Sequence, residues 1–329
     1  MKTLRIDFVD FWPGFVKTDN FFYNILKKYY RIKITSKPDF LFCSCFSQKH
    51  FRYKDCVKIL YMGENLVPDF NLYDYAMGFH YICFEDRYLM LPHYVLYGDD
   101  LPLALHKHEH DDAYYLRKKK FCNRVVSNPE GAPEREEIFR MLQNIAQVDS
   151  GGRYANNVGG PVKDKIAFER DYRFTLAFEN SSTPGYTTEK IIQAFAGDTV
   201  PIYWGDPTIA QQFNPDSFIN CMEYKDPASL IERVRSVWED SSLFLSMMKA
   251  PAVKEGTLAD KYLREGYVDD FLRCIMEQDP KIAMRRNNVY AGEKYQREAK
   301  ASARSKAVRD VVQRPLHLMQ LRKARRKQG

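Results

Sequence analysis

The chain has 329 residues, 45% of them hydrophobic and 14% aromatic, enough for two full cores at about 150 residues per domain and too apolar for general disorder. Its net charge of +7 is uneven: residues 294–329 hold twelve Lys or Arg against two acids, leaving 38 basic and 41 acidic side chains elsewhere, which excludes a nucleic-acid face outside the tail. No apolar run approaches the roughly 20 residues of a membrane span, residues 1–9 read as a strand and not a signal peptide, and seven cysteines without a C-x-x-C pair argue against a zinc ribbon or secreted disulfide framework. A cytoplasmic location is expected.

In chain order, residues 4–9 are expected as a strand and 19–30 as a helix with Phe22, Ile25, Leu26 and Tyr29 on one face. Strand-like runs recur at 31–35, 40–46, 57–62 and 81–84, an alternation that suits an α/β layer. The turn-rich GENLVPDFNLYDYAMGF follows a strand end, where open α/β sheets keep their sites. A polar, His- and Asp-rich segment over 97–120 reads as an interdomain connection.

A second α/β set begins with a strand over 121–128. It continues with a helix over 133–146 carrying Pro133 at its first position, a Gly-rich loop, and a short helix near 164–171. Residues 174–207 then form the most informative stretch. The run 174–178 is a buried strand, Thr187 or Thr188 caps a helix with Ile191, Ile192 and Phe195 inward, Gly197 ends it, and 200–204 is a second strand. This is one parallel βαβ unit, with an anion site expected where the first loop meets the helix start. A strand over 218–224, a helix capped by Asp226 with Pro227 at its first position, and helices near 243 and over 258–276 complete the globular part. In the tail, residues 294–312 are helix-prone and basic; after Pro315, Leu316, Leu318, Met319 and Leu321 stand beside a basic cluster. Three readings stay open for it: an interfacial membrane segment, a solvated tail, or a nucleic-acid contact.

The segment YTTEKIIQAFAGDTVPIYWGDP closely resembles the donor-binding motif of glycosyltransferase family 10, the α1,3/4-fucosyltransferases. MGENLVPDFNLYDYAMGF, DRYLMLPHYV, SNPEGAPE and FNPDSFIN extend the resemblance in the family's order, most closely to bacterial members such as the Helicobacter enzymes. The resemblance implies a GT-B architecture of two Rossmann-like domains facing across a cleft, here residues 1–116 on the acceptor side and 117–285 for GDP-fucose, followed by a basic amphipathic tail over 286–329. It also implies transfer with inversion from GDP-fucose to a glycan acceptor such as a lipopolysaccharide O-chain precursor, most readily to O3 of N-acetylglucosamine.

Glu64 matches the family's proposed base; the alternative is a surface acid capping a turn. Arg153 matches an arginine on the diphosphate, Lys190 can place a charge on the phosphates, and Glu189 can accept from ribose hydroxyls; otherwise these are solvated side chains. Tyr186 matches a donor-site tyrosine, Glu179 and Asn180 fall where the sugar should lie, and Arg87 and Tyr88 are candidates on the acceptor side.

His106, His108 and His110 with Asp111 and Asp112 look like ligands but sit in a polar linker, and the chain has no Asp-x-Asp motif. No metal cofactor is therefore expected, with Mn²⁺ or Mg²⁺ at most stimulating. The expected partners are GDP-fucose, a glycan acceptor and, through the tail, the inner-membrane surface, without nucleic acid. The rival readings are another GDP- or UDP-sugar donor, or a tail-driven membrane- or RNA-binding protein with an inactive transferase fold.

Overall fold

A computed structural model describes residues 1–286 and 289–305. It divides into two compact units, residues 1–77 with 272 onward, and residues 78–271.

In the first unit, β1 (Thr3–Val9), β2 (Arg31–Ile34), β3 (Phe40–Cys43), β4 (Val57–Tyr61) and β5 (Tyr75–Gly78) run parallel in the order 2-1-3-4-5. The near-continuous apolar runs of β3 and β4 are buried along their length, as parallel strands covered on both faces are. Edge strand β2 alternates exposed and half-buried residues. Phe42 stacks on Phe8 and Phe22 at ring distances of 5.0 and 5.6 Å. The helix expected over 19–30 is only Phe21–Leu26, capped by Asn20, whose side chain accepts from the Tyr23 N–H at 3.0 Å. Lys28 and Tyr29 then bond three residues back, a tighter turn that brings the chain to β2 and leaves Tyr29 38% exposed. Residues 285 and 286 return to this unit, their N–H groups donating to Asp74 Oδ1 at 2.7 Å.

The expected strand over 81–84 does not form. The ladder to β4 is taken by Tyr75–Gly78, with Ile59 opposite Tyr75, and Tyr81 and Phe84 are 46% and 36% exposed.

The second unit holds the short β6 (Tyr88–Met90), then β7 (Lys120–Arg124), β8 (Val148–Ser150), β9 (Tyr172–Phe178), β10 (Val200–Trp204) and β11 (Ile219–Asn220). β7 to β11 are parallel in the order 8-7-9-10-11, which repeats the 2-1-3-4-5 pattern of β1 to β5. Both units are thus Rossmann-like α/β layers, the fold class the sequence implied. In this order successive connections leave β7 in opposite directions, so the crevice outside the carboxyl ends of β7 and β9 is the topological switch point where such sheets bind ligands.

The core joins Phe121, Phe174, Ile202 and Leu142 to Leu230 and Val234 of helix Pro227–Glu239. That helix has the expected Asp226 cap on the Ser229 N–H at 2.8 Å. Helix Glu134–Leu142 starts one residue late, with Pro133 as the cap position. The strand expected over 218–224 is reduced to Ile219–Asn220, because Asn220 turns the chain by accepting from the Met222 N–H at 3.1 Å. The helix expected over 258–276 is two, Leu258–Tyr262 and Tyr267–Met276, separated near Gly266 at φ +84°.

The compact units part after Met77 and Phe271, whereas the sequence reading places its domain boundary at 116/117. No helix among the described residues is long and apolar enough to cross a membrane. The tail is helical as far as residue 305; Pro315 and the Leu316–Leu321 cluster lie outside the described residues.

Candidate functional site

β9 delivers Glu179 to the carboxyl edge of the sheet, where its N–H donates to Trp204 O at 2.8 Å. The Glu179 side chain is fully buried, and a carboxylate there needs donors on both oxygens. It accepts from the Thr188 N–H and Oγ1, both at 2.7 Å, and from Lys190 Nζ at 2.9 Å. The anion at the start of the next helix is therefore the chain's own carboxylate. This corrects the expected cap. Thr188 turns its hydroxyl to Glu179, the helix spans Lys190–Ala196, and Glu189 holds the cap position without a side-chain cap bond.

Glu189 lies between two basic side chains, 3.3 Å from His93 Nδ1 and 4.0 Å from Lys190 Nζ. Burial opposes its charge, but Lys190 and His93 outweigh burial and hold its carboxyl below the usual range. Burial likewise disfavours the Lys190 ammonium, yet Glu179 and Glu189 hold its pKa above that of an ordinary lysine. The Lys190 charge is thus shared between two carboxylates before any ligand arrives.

A second buried carboxylate, Asp206, follows β10 and ties three loop segments together. It accepts from the Gly185 N–H at 2.9 Å, Thr187 Oγ1 at 2.9 Å, the Thr208 N–H at 2.8 Å and Gln212 Nε2 at 2.6 Å. Gly185, at φ +87°, lies so close to Phe79 that an added Cβ would sit 2.2 Å from its carbonyl oxygen.

The carboxyl end of β7 adds arginines. Arg124 stacks 3.4 Å over the Phe139 ring and pairs with Glu136 at 2.7 Å. Arg135 donates to Asn180 Oδ1 at 3.2 Å, and its burial lowers its pKa against the pull of Glu136. On the loop after β8, Gly152 lets the backbone approach Val126, whose carbonyl oxygen would lie 1.9 Å from a Cβ. Arg153 follows, exposed, with no hydrogen bond or ion pair among the described residues.

Of the sequence candidates, the structure brings Glu179, Glu189 and Lys190 into one ion-pair group and ties Asn180 to Arg135. Tyr186, 3% exposed, packs edge-to-face on Phe79 at 4.9 Å. The Glu179 oxygens are engaged internally by Thr188 and Lys190, and so hold both in place. Arg87 is 9% exposed with its guanidinium 4.7 Å over the Phe84 ring, and the Tyr88 hydroxyl donates to His80 O at 2.8 Å. Glu64 lies in the first unit, exposed, in the loop after β4. His106 pairs with Glu109 at 2.6 Å, and His110 stacks on Tyr114 at 3.9 Å. Sequence reasoning missed Asp206, Arg124, Arg135 and His93; the only signals were the placement of Asp206 in the WGDP end of the donor-like motif and of His93 in the family-like DRYLMLPHYV segment.

Residues 115–249 match the "Glycosyltransferase family 10 (fucosyltransferase) C-term" family and residues 6–97 match the "Alpha-(1,3)-fucosyltransferase FucT N-terminal domain". The chain belongs to glycosyltransferase family 10. The C-terminal family segment contains every loop of the switch-point site from β7 to β10. Among family relatives, the alpha-(1,3)-fucosyltransferase FucT of Helicobacter pylori is 34% identical over 69% of this chain and 55% of its own length. The chain thus spans about half the length of that curated relative. A crystal structure of alpha1,3-fucosyltransferase is 28% identical and superposes with a TM-score of 0.75 over 88% of this chain and 93% of that one. The form with GDP-fucose gives 0.69 at 28% identity, over 85% and 92%.

Proposed function

We propose that this chain transfers L-fucose from GDP-fucose to a hydroxyl of a glycan acceptor, with inversion at the anomeric carbon. The observation that carries the reading is the likeness, over 85% of the chain, to a family structure with GDP-fucose. The site geometry supports it. A diphosphate at the switch point meets Arg153, which has no partner among the described residues, and Lys190, held in place by Glu179 and Thr188. Glu189, pinned by His93 and Lys190, accepts from ribose hydroxyls, Asn180 borders the sugar, and Tyr186 shapes the loop.

Glu64 takes the acceptor proton as the new bond from the acceptor oxygen to C1 of fucose forms. The C1–O bond to phosphate breaks, and its electron pair leaves on the diphosphate, where Arg153 and Lys190 stabilise the charge. No obligatory metal enters, because these basic side chains supply the positive charge; transfer should survive a chelator, and complete loss restored by Mn²⁺ would contradict this. The proposed acceptor is an N-acetylglucosamine-containing glycan such as a lipopolysaccharide O-chain precursor, modified at O3 at the inner-membrane surface. The basic tail would be drawn to anionic lipid by about 1 kcal/mol per Lys or Arg.

A sugar-nucleotide panel read by thermal shift and by transfer to N-acetylglucosamine glycans tests the reading. GDP-fucose should stabilise most and yield a fucosylated product. Stabilisation by a UDP-sugar or another GDP-sugar, with transfer of that sugar, would overturn it.

A further inference from the structure

The first unit contains a cavity of about 350 Å³ that none of the residues proposed for transfer lines. Its walls include the cations Lys54, Lys58, Arg286, Arg297 and Lys300. Two acids, Asp55 and Glu293, share the lining, so the cavity is cationic by three charges. Lys58 enters β4 at its amino end, whereas Glu64 follows the carboxyl end of the same strand. At about 3.3 Å per strand residue, the strand alone separates them by roughly 10 Å.

Lys58 is the decisive residue. It is 5% exposed, inside a strand that is otherwise apolar and fully buried. Its ammonium has no hydrogen bond or ion pair among the described residues, although it faces the cavity. The buried carboxylate of Asp74, which acts on Lys58 electrostatically, is engaged by other donors. One oxygen accepts from the Arg285 and Arg286 N–H groups at 2.7 Å each, and the other from the Lys58 backbone N–H at 2.7 Å and the Arg286 guanidinium. Arg286 Nε is also buried without a partner among the described residues. Glu293 bends towards Arg297, 4.0 Å away, and forms no ion pair with Lys58. A buried lysine without a counter-charge is costly; burial, reinforced by Arg286, pushes Lys58 below the ordinary lysine value.

We infer that this cavity is a binding site for a phosphate monoester, with the dianionic phosphate completing the charge of Lys58 and the Arg286 edge. Its volume leaves room for a glycerol- or sugar-sized substituent, and three excess positive charges suit a dianion better than a single carboxylate. The phosphate can come from a soluble ester or from a lipid headgroup of phosphatidic-acid type.

The test titrates the full chain with inorganic phosphate at constant ionic strength set by chloride, reading Tm. Wild type should show a saturable rise of about 2–5 °C. Lys58→Met, which removes an unpaired buried charge, should fold with equal or higher Tm in chloride and lose the phosphate response. Arg297→Ala, at an exposed position, should weaken the response several-fold and serves if Lys58→Met does not fold. A Tm that follows ionic strength alone, or a Lys58→Met or Arg297→Ala response equal to wild type, overturns the site. Co-sedimentation with phosphatidylcholine vesicles containing phosphatidic acid then identifies the source. Retention that falls in Lys58→Met and is competed by phosphate assigns a lipid headgroup; equal retention beside a positive Tm response assigns a soluble ester.

Discussion

Glu179 and Lys190 form a buried ion pair at the start of helix Lys190–Ala196, so substitutions there act on structure and, under the proposed function, on donor binding together. Lys190→Ala should abolish GDP-fucose binding, but it also strands a fully buried carboxylate, and losing one partner of a buried pair costs roughly 3–5 kcal/mol. Its affinity loss should therefore arrive with a fall in Tm. Arg153→Ala separates the two effects: the side chain is exposed and without a partner among the described residues, so KM for GDP-fucose should rise by about 10-fold or more while Tm stays within about a degree. A large Tm loss, or an unchanged KM, would remove Arg153 from the diphosphate. Elsewhere, Glu169 is fully buried with both oxygens unbonded, and burial raises its pKa from 4.5 to about 7 despite Lys165. The folded state thus favours its protonated form, so the group costs nothing below pH 4.5 and progressively destabilises as pH rises to 7. Glu169→Gln should be close to neutral at pH 4 and stabilise by up to about 3 kcal/mol at pH 8, read by chemical denaturation.

At the scale of elements, the βαβ core of the site was the most legible part. The apolar runs of β9 and β10, with Gly197 after the helix, fix the unit through local pattern alone, and the observed β10 matches the sequence reading. The helix start was not legible, because Thr188 serves a carboxylate nine residues earlier in place of its own helix end. Asp206 escaped for the same reason: its partners come from Gly185, Thr187, Thr208 and Gln212. β5 was hidden since Tyr75–Gly78 is short and embedded in turn-rich sequence, while the aromatic 81–84 run looks more strand-like but lies outside the ladder. The loop geometry yields a prediction. Gly185→Ala combines a left-handed φ with a backbone clash at Phe79, so it should destabilise by roughly 2 kcal/mol or more and weaken GDP-fucose binding. An unchanged Tm would show that the loop can yield.

At the scale of the whole chain, composition and alternation were enough for two α/β layers, and β1 to β5 and β7 to β11 follow the same 2-1-3-4-5 order. The return of residues 285 and 286 to the first unit through Asp74 was invisible in sequence, since that contact spans more than two hundred positions. It bears on how the tail can be dissected: Tyr295 and Lys300 also bond back to Asp69 and Phe51, so a chain ending near Tyr290 would lose part of a folded unit. A chain ending at Ser305 should keep turnover on soluble acceptors while losing retention on anionic vesicles that carry no phosphate monoester, such as phosphatidylglycerol; lost turnover would instead make the tail part of the catalytic body. The most direct test of the account is the turnover of Glu64→Gln with GDP-fucose and an N-acetylglucosamine glycan, measured beside its GDP-fucose affinity. Turnover should fall by about 10²–10⁴ with donor affinity unchanged; near wild-type turnover would contradict the assignment of the proton transfer to Glu64.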